Sequence, residues 1–146
     1  MTQEEESLLL KDLCARLPYN LWVHYKDKDY LVTGYGHGRV SLLPSIFSSS
    51  VGPCPLVEEI KPYLRPMSSM TEDEFESLKQ YSGLMYDQLE LAEFQNGTYK
   101  CLEFYLSEIP SYIVILVFDW LNTHHFDYRG LIERGLAIEA PKDMYN

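Results

Sequence analysis

"SYIVILVFDWLNTHHFDYRG", Ser111 to Gly130, holds the choice that decides the fold. Its apolar run, Ile113 to Phe118, is mostly β-branched and suits a buried strand. Yet Val114, Val117, Phe118 and Leu121 fall at i, i+3, i+4 and i+7, the stripe of a helix. Upstream, Ser107 offers an N-cap, Glu108 suits a first turn, and Pro110 is tolerated there. The helical reading is preferred, with Ile113–Asn122 buried on most sides. Asp127 then caps a second, short helix in which Tyr128, Leu131 and Ile132 face inward, and Gly135 closes it.

Outward from this stretch the signals are more local. Leu9, Leu10, Leu13 and Leu17 recur near helical spacing, and acidic residues precede them, so a helix is expected over Glu4–Arg16, stopped by Pro18. Leu21–Tyr25, Tyr30–Thr33 and Arg39–Leu43 have strand character. "KDKD" and "GYGHG" separate them as turns, the second a wide one, which predicts a meander. The glycines of "GYGHG" lead into a strand, not into a helix N-terminus, so they lack the context of a phosphate-binding loop.

Pro53, Pro55, Pro62 and Pro66 favour an extended run over the surface from Pro53 to Met67, rather than a regular central strand. "MTEDEF" is a capping box, with Thr71 as N-cap, Glu74 at N3, and Met70 and Phe75 in the staple positions. That helix should end at Gly83. Leu84–Phe94 leans helical, Asn96–Gly97 marks a turn, and Thr98–Leu106 alternates as a strand does. Together these segments predict a single α+β domain over residues 1–146, with a small, mainly antiparallel sheet and three to five helices.

Composition narrows the function classes. Of 146 residues 46% are hydrophobic and 14% aromatic, enough to build one core and to exclude wholesale disorder. The net charge is −10, and the arginines at 16, 39, 65, 129 and 134 are scattered, so no patch invites nucleic acid directly. Cys14, Cys54 and Cys101 are odd in number and lack CxxC spacing, which speaks against a disulfide framework or zinc knuckle. Cys14 and Cys101 read as small core residues, and Cys54, between two prolines, as exposed. The start "MTQEEESLLLKDL" lacks the basic, apolar pattern of a signal peptide, and no apolar run is long enough to span a bilayer. A cytoplasmic protein without membrane contact or cofactor is expected.

Three groups of residues invite a function. His124, His125 and Asp127 could contribute to a metal or acid–base site. However, adjacent histidines diverge by about 100° on a helix, so such a site would need help from His24, His37 or Asp119. The same residues also make a helix stop, with imidazoles at the negative end and Asp127 as the next cap. "KPYLRPMSS" carries Tyr63 and Arg65, types enriched at binding hot spots, and its prolines lower the entropy lost on binding. It equally suits a segment covering its own core. Lastly, Glu58, Glu59, Glu72, Asp73, Glu74, Glu76, Asp87, Glu90 and Glu93 make the middle of the chain acidic. Such a surface promotes solubility, or could imitate nucleic-acid phosphates toward a protein partner, with Glu72, Asp73 and Glu76 foremost.

"LCARLPY" (Leu13–Tyr19), "IKPYLRPMSSMTEDE" (Ile60–Glu74) and "DWLNTHHFDYRGLIERGLAIEAP" (Asp119–Pro141) resemble a group of small uncharacterised proteins of gut Bacteroides genomes and of their phages and other mobile elements. The resemblance implies a bacterial or phage cytoplasmic setting and an accessory role, and it assigns no functional residue. The expected function is a non-enzymatic accessory protein that binds another macromolecule, a protein. The alternative is a small metal-dependent hydrolase using the His124/His125/Asp127 region.

Overall fold

The computed structural model describes residues 1–43, 52–83, 91–96 and 110–145. The segments expected as a strand over Thr98–Leu106, as a cap at Ser107 and as a core thiol at Cys101 lie outside them, as does most of Leu84–Phe94.

Helix α1 spans Gln3–Arg16 and opens with a capping box that the sequence reading passed over. The Thr2 hydroxyl accepts from Glu5 N, and the Glu5 carboxylate accepts from Thr2 N. A 3-10 turn at Leu17–Tyr19 and left-handed Asn20 turn the chain into the sheet. Strands β1 (Trp22–Tyr25), β2 (Lys28–Gly36) and β3 (Arg39–Leu42) form the expected antiparallel meander. The "GYGHG" turn is tighter than expected. Strand β2 runs on to Gly36, and only His37 and Gly38 turn, at φ +53° and +77°. Both positive values are what a two-residue type I′ hairpin requires.

The proline-bearing segment divides in two. Pro53 and Pro55 behave as expected: their carbonyls accept from Leu42 N and Val40 N, so an extended run covers the outer edge of β3. Lys61–Leu64, however, is strand β4 in the interior of a five-stranded sheet ordered β3-β2-β1-β4-β5, where β5 is Ile138–Glu139. The expectation of a surface wrap is overturned here. Strand β4 runs antiparallel to β1 and parallel to β5. Pro62 is tolerated because donors alternate sides along a strand. Leu64 O accepts from Ala140 N on the β5 side. The N–H that Pro62 lacks falls on that same side, before the ladder with β5 begins at Tyr63.

Helix α2 (Glu72–Ser82) has the predicted cap in full. Thr71 Oγ1 accepts from Glu74 N, Glu74 Oε1 accepts from Thr71 N, and Gly83 ends the helix at φ +76°. Helix α3 is Leu91–Asn96, and α4 is Ser111–Thr123. The decisive stretch is therefore helical, as preferred. It buries Ile113, Val117, Trp120, Leu121 and Asn122 but leaves Tyr112 and Ile115 exposed, so one face more is open than expected. The second helix after Asp127 does not form. Residues 127–135 make successive turns, with Gly130 and Gly135 in the left-handed region. No helix among the described residues is long and apolar enough to cross a membrane.

Two apolar clusters fill this α+β domain. One lies between α1 and the sheet and includes Leu9, Leu13, Val23, Val40, Ile60 and Leu64. The other lies among the helices and includes Met70, Phe75, Leu78, Val117, Trp120 and Phe126. Met70 and Phe75, the two staple positions, both belong to it. The clusters meet where Arg65 and Phe126 form a parallel bridge: Arg65 N donates to His125 O, and Asp127 N donates to Arg65 O. Cys54 is exposed, as expected, but so is Cys14, which points outward from α1 and is not a core residue.

Candidate functional site

The corner after α4 is built residue by residue. His124 ends the helix, and His125 takes the left-handed conformation at φ +60°. His125 N then donates to Asn122 O and Phe126 N to Leu121 O, the two reversed bonds of a Schellman stop. Glycine usually fills that position, and histidine carries steric strain there. Tertiary contacts hold it in place. The ring is buried, its Nε2 donates to Tyr19 O at 2.7 Å, and Tyr145 stacks on it at 3.9 Å between centroids. Burial, reinforced by the positive charge of Arg16, brings its pKa down to about 4, so the ring is neutral at pH 7.

His124 faces elsewhere. Its Nδ1 donates to Trp120 O at 2.9 Å, and its ring stacks on Trp120 at 4.0 Å. Asp127 accepts from Leu131 N at 2.8 Å and Ile132 N at 2.9 Å, so the cap was foreseen although it caps turns and not a helix. Burial raises its pKa, and those two amides oppose the rise. The three side chains thus have three different sets of partners and do not converge. Among the described residues no group of three or more His, Cys, Asp or Glu side chains is placed to hold a metal ion.

Tyr63 and Arg65 are not the exposed anchors expected. Tyr63 is 9% exposed, and its hydroxyl donates to Asp29 Oδ1 at 2.7 Å. That carboxylate also holds His24 Nδ1 across the β1–β2 hairpin at 2.9 Å. Burial, helped by Asp29, pushes the Tyr63 phenol up to about 12. This cross-strand trio was missed because Asp29 belongs to "KDKD", which reads as a turn in the sequence.

Arg65 forms a bidentate pair with Glu74, at 2.7 and 2.9 Å, and its guanidinium lies 4.2 Å over the Phe126 ring. Burial pushes the Glu74 carboxyl up, but the bonds from Arg65 and Thr71 outweigh it and hold the pKa down.

Arg65 and His124, each singled out for a separate role, line one cleft of about 560 Å³. Ser69 and Glu74 also line it, and the C-terminal segment contributes Glu139, Lys142 and Asp143, here called its far wall. Tyr145 closes one end. Its hydroxyl sits between β1 and β4, accepting from Trp22 N at 3.0 Å and donating to Tyr63 O at 2.8 Å. Continued by one step, the β1–β4 register places Trp22 opposite Tyr63. The phenol therefore bridges a rung of the ladder. Nothing local in "KDMYN" signals this role, which exists only once the sheet has formed.

Outside the cleft, the exposed side of α2 carries Glu72, Asp73 and Glu76, as expected for an acidic face. They share one arc of about 100°, turned away from Tyr81. At 100° per residue, Asp73 lies about 80° from Tyr81, whereas Glu76 and Glu72 lie about 140° and 180° round the helix. Glu76 is also paired with Lys79.

Tyr81 marks the seam between α2 and α4. Its hydroxyl and that of Tyr19 each donate to Asp119 at 2.6 Å. Those two bonds, Tyr19 first, lower the Asp119 pKa. On α4, Asp119 continues the stripe of Tyr112 and Ile115, which are 67% and 66% exposed beside Tyr81 at 49%.

The three passages that carry the resemblance pack on one another here, through Arg16 to Phe126 O, Tyr19 to His125 and Asp119, and Arg65 to Phe126. Comparisons with protein-family models, with curated proteins and with solved structures find no match to the chain.

Proposed function

We propose that this chain is a non-enzymatic accessory protein that binds a protein partner, in the bacterial or phage setting the resemblance implies. The observation that carries the reading is the outer stripe of α4. A helix rich in apolar residues leaves Tyr112 and Ile115 two-thirds exposed, and Ile115 lies one turn from Asp119, which Tyr81 binds. Contiguous aromatic and aliphatic exposure of this kind marks contact surfaces, and tyrosine is enriched where binding energy concentrates. With a net charge of −10, the chain favours a partner whose matching surface is basic, which is the property a nucleic-acid-mimicking protein exploits. The titratable side chains of the His124–Asp127 corner serve the fold, which supports binding over hydrolysis.

The test compares tagged wild-type chain with Ile115→Asp and Tyr112→Asp as bait in host lysate. Both positions are exposed, so circular dichroism should be unchanged. The expected result is a protein retained by wild type and lost by both variants. If wild type and variants retain the same proteins, the α4 stripe is not the contact surface and the reading fails.

A further inference from the structure

We propose that the 560 Å³ cleft beneath the C-terminal segment binds a small zwitterion of the α-amino-acid class, separately from any protein partner on α4. The volume falls within the roughly 300–1,000 Å³ of small-molecule sites. The cleft opens where the parallel strands β4 and β5 end and diverge, at Arg65–Pro66 and Glu139–Pro141.

Arg65 and His124 are held in place by neighbours, Glu74 within the cleft and Phe126 and Trp120 behind them. Of the five N–H donors of a guanidinium, Arg65 gives two to Glu74, and Phe126 covers one of its faces, so the cation is fixed with donors remaining. The His124 ring is fixed by Trp120. Its Nδ1 donates to the Trp120 carbonyl, which leaves Nε2 as the ring nitrogen for a ligand to meet. Groups held in place before a ligand arrives lose little entropy when it binds.

The far wall, with Glu139 and Lys142, is exposed and carries both signs. A simple anion would meet the carboxylates of Glu74, Glu139 and Asp143, and a simple cation would meet Arg65 and Lys142. A ligand with a carboxylate at one end and an ammonium at the other finds a complement at both walls.

The experiment is an amide-resolved NMR titration of the full chain with an equimolar mixture of the twenty common L-amino acids. The same concentrations of their N-acetyl amides, which lack both charges, serve as control. Saturable shifts at Arg65, His124, Ala140 and Lys142 with the free amino acids, absent with the amides, are the expected result. Lys142→Ala and Glu139→Gln lie on the exposed wall and leave the core untouched. Each should weaken binding by about threefold to fivefold, as exposed charge pairs do. No saturable shift, equal response to the blocked amides, or unchanged affinity in the Lys142→Ala/Glu139→Gln double variant would each overturn the proposal. The isolated chain is used throughout, so the result is independent of whether α4 binds a protein.

Discussion

Arg16 and Arg65 both close on Phe126, from opposite cores and by opposite means. Arg16 comes from α1 and is fully buried. It binds Asp12 twice, at 2.8 and 3.0 Å, and gives a further bond to Phe126 O at 2.7 Å. Burial works against its charge, and Asp12 more than offsets that, so its pKa is raised. Arg65 comes from β4, keeps 23% of its side chain exposed, and lies over the Phe126 ring while Glu74 holds its other edge. The same pair of residue types thus serves two purposes. In the interior the pair is closed to solvent, and Arg129 lies 3.3 Å from Asp12 as a second cation, whereas at the cleft the pair remains open to solvent and to a ligand.

Breaking each pair measures the difference. Arg16→Met leaves the buried Asp12 carboxylate with Arg129 as its remaining cation, takes the donor from Phe126 O, and should cost about 3 kcal/mol. Replacing both partners, Asp12→Leu with Arg16→Met, should recover part of that loss, since an apolar pair can fill the same space while Arg129 loses its carboxylate. Arg65→Met leaves Glu74 in contact with water and loses an ion pair and a cation–π contact, together about 1–2 kcal/mol. Urea unfolding of the four proteins is the measurement. Equal losses for the two single arginine variants would show that burial does not distinguish the pairs.

The corner between the two arginines should be sensitive to acid. His125 has a folded pKa of about 4 against an ordinary value near 6.5. Between these values the unfolded chain binds a proton that the folded chain refuses. Stability from this group is full above pH 6.5, falls by about 1.4 kcal/mol for each pH unit below it, and levels off near pH 4. His125→Asn tolerates the left-handed backbone and cannot titrate there. Its pH profile should lack this slope over the same window, measured against wild type, and an unchanged slope would assign the acid sensitivity to another group.

Tyr145 tests how the C-terminal segment closes the sheet. Tyr145→Phe keeps the ring stacked on His125 but leaves Trp22 N and Tyr63 O without the bridging hydroxyl. The expected loss is about 1–3 kcal/mol, with faster hydrogen exchange at the Trp22 amide. Unchanged exchange at Trp22 would mean that the two strands close the rung themselves.

These regions differ in how far the sequence revealed them. Thr71 and Glu74, Gly83, Asp127 and the stripe in Ile113–Leu121 act within a few residues of themselves. Caps and helical periodicity are local, so they could be read directly. Lys61–Leu64 was mistaken for a surface wrap because the cost of a proline in a sheet depends on which side lacks a neighbour. That is settled by the placement of β5, some 75 residues later in the chain. The cleft was invisible for the same reason. Its walls come from three distant segments, and the residues that orient them, Phe126 for Arg65 and Trp120 for His124, look in sequence like ordinary core aromatics. Cys14 was misjudged by its apolar neighbours, Leu13 and Ala15. At 100° per residue it falls on the opposite side of α1 from a midpoint between Leu9 and Asp12, both of which are buried.

The smallest expected effect sharpens the contrast between interior and surface most. Ile115→Asp removes an aliphatic side chain from the middle of an apolar helix, a change that elsewhere on α4 would be severe. Val117→Asp, two residues on, would place an unpaired carboxylate among Phe75, Leu78 and Phe94 in the helical core. Ile115 is 66% exposed, so the same substitution there should alter stability by no more than about 0.5 kcal/mol. Thermal unfolding of the two variants side by side checks this. A large loss at Ile115 would mean that the stripe is buried in the folded chain in solution. In that case its apolar character would serve this protein's own core, and the argument for a partner on α4 would lose its basis. A negligible loss leaves an apolar residue whose identity the fold does not require, which is the condition a binding surface must meet.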